Sequence, residues 1–355
     1  MYYKNWKARF NYLIGLIVYW ILALLIYDII RYSGISSETE AFSLFYAIEV
    51  ASFLGLITGI LFFVFDLLLE REWIRKQNYL YRIFIKVGLY CLVFLIDDQF
   101  GAKLLEGAGA NAHLIDIETM ANSGITYSFG LFFMISTFLY VIGQILNEKF
   151  GPGNFFKMLI GKYTPPKVER KVFLFLDMQS STTIAEELGY TKFSKLVQRC
   201  FIELNHLIPK YKGQIYQYVG DEAVIVWDYD KALQGEDATH LYYDFSECLM
   251  KLEPYFKQNF GVQPFFKAGI HGGDVVTAEI GIQKKDMSYL GDVVNTAARI
   301  QNLCNPLKQK LLISGELVKD LPAVKNYRYD EAGRHLLKGK IQEVDIYSVH
   351  IKDMI

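Results

Sequence analysis

Apolar positions in the first 150 residues run on without the polar interruption every three or four residues that a water-facing helix needs. Four runs stand out: residues 11–30 (NYLIGLIVYWILALLIYDII), about 47–69, about 80–96 and about 124–146. Each approaches the ~20 apolar residues that span a bilayer, so the pattern predicts four transmembrane helices. Arg82 and Lys86 stand in the first turns of the third run, where long basic side chains can snorkel to the headgroups.

The pattern breaks from 148 to 168. Gly151, Pro152 and Gly153, then Pro165 and Pro166, bracket a short amphipathic stretch, a linker between a membrane region, 1–147, and a soluble domain, 169–355. In that domain KVFLFLD (171–177) predicts a buried strand, and SSTTIAEELG and FSKLVQRCFIELNHLI have helical spacing. Residues 214–227 alternate as two strands about Gly220-Asp221, a helix is expected over about 231–258, and 265–280 reads as strand, Gly-Gly turn, strand. A helix starts near Gly291, followed by strands at 310–314, 326–332 and 343–350. The succession predicts an α+β domain with helices on a mostly antiparallel sheet.

Composition narrows the partners. The 355 residues are enough for about two domains. Lys plus Arg number 37 against 38 Asp plus Glu, a net charge of -1, so the electrostatic footprint of a nucleic-acid binder is missing. Cys91, Cys200, Cys248 and Cys304 lie far apart without CxxC spacing, which argues against a zinc site or disulfide framework and fits a reducing compartment. Basic residues cluster before the first run (Lys4, Lys7, Arg9), between the second and third (Arg71, Arg75, Lys76, Arg82) and after the fourth (Lys149, Lys157). The other two loops carry Glu38 and Glu40, and Asp97, Asp98, Glu106, Asp116 and Glu118 with Lys103. The expectation is a multi-pass protein of the inner or plasma membrane, in contact with lipid, with both termini in the cytosol and outward loops too short for a large ligand-binding domain.

Candidate chemistry concentrates in the soluble domain. Asp177 ends an apolar strand and Asp221 sits on a glycine-containing hairpin; pairing of those strands would bring two carboxylates together, which is costly unless a cation neutralises them. Such oxygen ligands suit Mg²⁺ or Mn²⁺ shared with substrate phosphates. The alternative makes Asp177 a helix cap and Asp221 an ordinary turn residue. Asn295 and Arg299 fall at i and i+4, on one helix face, where an amide and a fixed guanidinium fork can cradle an anion. Lys338 and Lys340 flank Gly339 near the C-terminus.

Taken in order, FLFLDMQSSTTIAEELG, YVGDEAVIVW, IHGGDVV, YLGDVVNTAARI and LLKGK resemble the catalytic domain of class III adenylate/guanylate cyclases, over about residues 169–350. The resemblance implies a ferredoxin-like α+β fold and a head-to-tail homodimer. It also implies two ions per site, Mg²⁺ or Mn²⁺, on Asp177, Asp221 and the Met178 carbonyl. Asn295 and Arg299 would orient the ribose and stabilise the transition state, and Lys338, or Lys340 two residues on, would hold the terminal phosphates. The metal aspartates would come from one subunit and the Asn/Arg pair from the other. Gln217 and Ser288 fall at the base-selecting positions, matching neither the Lys with Asp or Thr of adenylate cyclases nor the Glu with Cys of guanylate cyclases. Both side chains donate and accept; the missing Glu favours ATP over GTP.

The expected reaction is attack of the ribose 3′-oxygen on the α-phosphate, giving a cyclic nucleotide and pyrophosphate by two-metal displacement. His271 and His335 are read as structural. Competing readings are a guanylate cyclase, a diguanylate cyclase suggested by YVGDEAV, a silent nucleotide-binding receptor, and a transporter using Glu49 and Asp66 of the second run, both expected near the membrane interface.

Overall fold

The computed structural model describes residues 6–33, 44–69, 81, 83–94, 124–151, 153–283, 285–322 and 326–352. Most of the loop charges that set the expected orientation, among them Lys4, Arg71, Arg75, Lys76, Arg82 and the acids from Asp97 to Glu118, lie outside the described residues. The chain divides into two compact units, Met1–Leu146 and Asn147–Ile355.

The first unit is helical: α1 (Trp6–Ser33), α2 (Leu44–Leu69), α3 (Ile83–Phe94) and most of α4 (Gly124–Phe150). Three of these, α1, α2 and α4, are long and apolar enough to cross a membrane. The third predicted span is described over twelve residues, Ile83–Phe94, so among the described residues three spans meet the length requirement. Apolar side chains such as Ile14, Val18, Leu22, Phe138 and Leu139 face outward, as a lipid-facing exterior requires. Within, Trp20, Phe62, Tyr90 and Phe133 form an aromatic core, with the Phe62 and Tyr90 rings stacked at 3.9 Å. Gly55 and Gly59, four residues apart on α2, let α1 approach to backbone distance: a Cβ on Gly55 would stand 2.6 Å from the Ile21 nitrogen, and one on Gly59 2.7 Å from the Ile17 Cα.

Asp66 is buried in this unit. Tyr12 donates to its Oδ2 at 2.6 Å, Gln144 Nε2 at 3.0 Å and Tyr140 also, while Tyr90 donates to Oδ1 at 2.8 Å. Lys86 Nζ lies 3.1 Å from Oδ1 and donates to Gln144 as well. Lys86 is thus turned inward onto an acid rather than outward to headgroups. Asp66, near the end of α2, faces other helices, whereas Glu49 is exposed.

The second unit opens with α5 (Asn154–Leu159), then β1 (Lys167–Met178), α6 (Ser181–Leu188), α7 (Tyr190–Leu207), β2 (Gln214–Val219) and β3 (Glu222–Asp228). Next come α8 (Tyr229–Gly235), α9 (Asp237–Lys251), α10 (Glu253–Phe260), β4 (Phe266–Ile280), β5 (Asp286–Leu290) and α11 (Asp292–Asn302). It ends with β6 (Leu311–Ser314), α12 (Gly315–Asp320), β7 (Tyr327–His335) and β8 (Val344–Ile351). The sheet order is β2-β3-β1-β4-β6-β8-β7, with β5 on β4. All pairs are antiparallel except β4 with β6, the α+β arrangement the alternation predicts. Strand β1 is apolar on both faces because both are covered: Val172, Leu174 and Leu176 join the core under α7 and α9, and Phe173 and Phe175 the core under α11.

Two expectations fail for identifiable reasons. Residues 266–280 form one continuous strand rather than two about Gly272-Gly273. These glycines serve close packing: a Cβ on Gly272 would sit 2.8 Å from the Tyr229 ring and 2.9 Å from Leu317 Cδ1, and one on Gly273 3.0 Å from Val293. The single helix expected over 231–258 is three, interrupted by left-handed Glu236 (φ 49°) and by Leu252 ahead of Pro254 in the first turn of α10.

Candidate active site

Asp177 ends β1 at the centre of the sheet, and the register sets Glu222 of β3 on one side and Lys267 of β4 on the other. One row across three strands therefore reads Glu222, Asp177, Lys267, and directly opposed residues in antiparallel pairs share a face. Lys267, although buried, brings its Nζ to 3.3 Å from Asp177 Oδ2, and Gln301 Nε2 donates to the same oxygen at 2.9 Å. Asp221 follows Gly220, whose positive φ of 62° turns the β2–β3 hairpin. Its Oδ2 is buried and accepts no hydrogen bond.

The electrostatics follow from this crowding. Burial, then the Asp221 charge, push the Asp177 carboxyl above its ordinary value against the opposing pull of Lys267 and Gln301. Burial, then Asp177 and Asp221, push Glu222 up to about 7. Among the described residues, Asp177, Asp221 and Glu222 share the ammonium of Lys267, and an orphaned carboxylate oxygen among them is what a hard cation with oxygen preference would satisfy. Among the described residues no three His, Cys, Asp or Glu side chains converge to hold an ion by themselves. A cation on this pair needs further oxygens from elsewhere, as Mg²⁺ bound jointly with phosphates does. Met178, whose carbonyl is the further candidate ligand, is the last residue of β1. Asp177 is not a helix cap: Ser180 precedes α6, and no side chain caps it.

Asn295 and Arg299 lie on α11, Asn295 exposed and Arg299 half-buried. The turn at Lys338-Gly339-Lys340 folds over Arg299: Gly339 has φ +78°, and a Cβ there would be 3.3 Å from Arg299 Nη2. Lys340 is engaged with Asp292 at 2.7 Å, and Asp292 lies 3.9 Å from Arg299. Lys338 is exposed. Gln217, exposed on β2, and Ser288, half-buried on β5, each adjoin a tyrosine, and those tyrosines, Tyr216 and Tyr289, meet edge to face at 5.0 Å. Asp177, Asp221 and Glu222 thus form one group; Arg299 adjoins the Lys338-Gly339 turn, with Asn295 one helical turn before it on α11. His271 belongs to neither: it is buried on β4 with its Nδ1 2.7 Å from Ser314 Oγ, and burial pushes its imidazole down to about 4. His335 Nε2 donates to the Ala332 carbonyl at 3.0 Å.

Sequence reasoning missed Lys267, Glu222 and Gln301. A lone charge within the apolar run FFKAGI marked Lys267, and a glutamine on the inner face of α11, beside Ala297 and Ile300, marked Gln301.

Residues 165–351 match the family model of the adenylate and guanylate cyclase catalytic domain. The chain is similar to adenylate cyclase 2 of Rhizobium meliloti (strain 1021), 34% identical over 58% of this chain and 56% of that protein. It is also similar to a photoactivated adenylate cyclase subunit alpha-like protein of Euglena gracilis, 25% identical over 62% of this chain and 22% of that one. The chain thus spans little more than half of the first relative and about a fifth of the second. A solved structure of a bacterial light-regulated adenylyl cyclase superposes with a TM-score of 0.51 at 25% identity, over 61% of this chain and 64% of that one. By the match over more than half its length, the chain belongs to the adenylate and guanylate cyclase catalytic domain family.

Proposed function

We propose that the chain is a membrane-anchored adenylate cyclase that converts ATP to 3′,5′-cyclic AMP and pyrophosphate in sites shared by two copies. The observation that carries the shared site is the distribution of groups around α11. Gln301 reaches Asp177 on one side; Arg299, two residues earlier and so ~200° around the helix, lies under the Lys338-Gly339 turn on the other. That distribution supports a site completed by a second copy: two chains about a two-fold axis, head to tail, each lending its aspartates to one site and its Asn/Arg pair to the other.

In that site Asp177 and Asp221, with the Met178 carbonyl, hold the divalent ions, two per site, Mg²⁺ or Mn²⁺. When bound, the ions lower the pKa of the ribose 3′-hydroxyl and neutralise the triphosphate. Asn295 orients the ribose, and Arg299 and Lys338 stabilise the charge that develops on the phosphates. Lys267 balances the aspartates from below. Gln217 and Ser288 face the purine; each can donate or accept, and the adenylate cyclase relatives favour adenine. The helical unit, residues 1–147, anchors the domain, with α3 as part of a fourth span and both termini in the cytosol, and 148–168 is the linker.

Incubating the full chain with ATP and with GTP, each with Mg²⁺ or Mn²⁺, and identifying products by mass tests the reaction; cyclic GMP as the main product would reassign the purine. Co-expressing Asp177→Ala and Arg299→Ala chains tests the shared site. Each variant alone is inactive, but half of randomly paired dimers are mixed and carry one intact site of two, so about a quarter of wild-type activity returns. No recovery in demonstrated mixed dimers overturns the shared site.

A further inference from the structure

The helix that carries Asn295 and Arg299 also touches the metal aspartate of its own chain. Gln301 is 2% exposed and spends its amide nitrogen on Asp177 Oδ2 at 2.9 Å. That reach is set by a glycine on the strand below. A Cβ on Gly269 would stand 2.3 Å from the Gln301 nitrogen and 2.7 Å from the Ala297 carbonyl, so only glycine at this position lets the end of α11 settle onto β4 at backbone distance. The seat is reinforced by the next turn, where Cys304 Sγ donates to the Ala268 carbonyl at 3.3 Å. Gln301 and Lys267 both hold Asp177 Oδ2, but they differ in kind. The ammonium is a charge that competes with a divalent ion for the carboxylate. The amide is neutral, donates one hydrogen bond, and fixes the rotation of the carboxylate without opposing a cation. An outer partner of this sort orients a metal ligand, and its loss typically costs 10–100-fold in metal affinity or activity.

We infer that Gln301 is a positioning residue: it orients Asp177 of its own chain for the divalent ion, although the Asn295 and Arg299 beside it on α11 serve the site across the dimer. The inference rests on the shared-site reading above. It predicts an effect that follows the aspartate rather than the helix.

The test uses the full chain in detergent. Gln301→Met keeps the volume and removes the donor. The expected results are a melting temperature close to wild type without metal, and a Mn²⁺ concentration for half-maximal thermal stabilisation raised about 10-fold. The Mn²⁺ requirement of cyclisation rises in parallel, and the rate at saturating Mn²⁺ is largely recovered. Unchanged Mn²⁺ dependence of the melting temperature would overturn the inference. If Gln301→Met fails to fold, Gln301→Leu, which also removes the donor and adds no charge, must shift the Mn²⁺ dependence in the same direction.

The mixed dimer then separates positioning from mere packing. In the Asp177→Ala plus Arg299→Ala pair, the intact site uses Asp177 of the Arg299→Ala chain. Gln301→Met added to that chain removes most of the restored activity at limiting Mn²⁺. Added to the Asp177→Ala chain, where there is no carboxylate to hold, it costs at most about twofold. Equal losses from either chain would reduce Gln301 to a packing residue, whereas failure of the unmodified pair to recover would refute the shared site itself, so the two readings fail separately.

Discussion

Asp66 in the helical unit and Asp221 in the catalytic unit are carboxylates withdrawn from water, and they have been treated in opposite ways. Asp66 is saturated: hydroxyls of Tyr12, Tyr90 and Tyr140, the amide of Gln144 and the ammonium of Lys86 occupy both its oxygens, one or more from each of the other three helices. Asp221 keeps a buried oxygen with no donor and faces two further carboxylates with one lysine among them. A polar group left unsatisfied out of water costs about 1–3 kcal/mol, more if charged. The fold meets that cost at Asp66 with its own side chains and leaves it unmet at Asp221. The first arrangement ties helices together; the second leaves an oxygen unpartnered where the proposed function puts a cation.

Substitution should therefore separate stability from turnover. The largest effect is on catalysis: on the roles proposed above, Asp177→Asn or Asp221→Asn should lower cyclisation at least ~100-fold, since each would remove a ligand for the ions that stabilise the transferring phosphate. The melting temperature without metal should hold or rise, because crowded like charges are relieved. Asp66→Leu should do the reverse. It removes the acid that balances Lys86 and the shared acceptor of three tyrosine hydroxyls inside the helical unit, at a cost of about 3 kcal/mol, read as earlier thermal unfolding in detergent, while folded protein still turns over. A turnover loss at Asp66→Leu as deep as at Asp177→Asn, in protein shown to be folded, would erase the distinction.

Metal addition probes the same contrast at intermediate size. Mn²⁺ should raise the melting temperature of wild-type protein by several degrees through mass action on the folded site, about 2.7 kcal/mol at a hundred times Kd. The rise should persist in Asp66→Leu and vanish in Asp221→Asn. Calorimetry with and without a chelator reads all three.

How far this contrast could be read from sequence depends on what each residue needs in order to be seen. Asp177 and Asp221 could be singled out because a charge at the end of an apolar strand and one on a glycine hairpin are local patterns, although the β1–β3 pairing that brings them together spans α6, α7 and β2. Lys267 and Gln301 were not, since their meaning arises only when β4 lies beside β1 in one register and α11 settles on Gly269. Asp66 was visible as an acid in an apolar run, but not which way it faced; that depends on tyrosines far away in the chain. Glycine misled once, at Gly272-Gly273, because the same residue permits a turn and a close approach. It went unread once, at Gly55 and Gly59, whose spacing of four is itself a packing signal.

The smallest effect is a dependence of stability on pH, and its sign is fixed by the carboxylate crowd. Glu222 has its carboxyl raised from 4.5 to about 7 by burial and by Asp177 and Asp221. Between those values the folded state binds a proton that the unfolded state has released, so this contribution is fully present below about 4.5 and is lost as pH rises through 7. His271 runs the other way: buried neutral with its imidazole lowered to about 4, it adds stability as pH rises from 4 toward 6.5. Asp228, held at about 2 by Lys171 and Lys231, has already delivered its share by pH 5. The two opposing slopes overlap below 6.5, and above it the His271 slope ends while that of the raised carboxyls, Glu222 foremost, continues through 7. Wild-type protein without metal should melt a few degrees lower at pH 8 than at pH 6.5. Glu222→Gln should flatten that decline, because the amide stays neutral, and saturating Mn²⁺ should flatten it as well, because the cation replaces the proton as the neutralising partner. Scanning calorimetry at closely spaced pH values resolves the difference between the two proteins, and identical profiles for wild type and Glu222→Gln would show that the crowd around Asp221 is relieved by some other route than protonation.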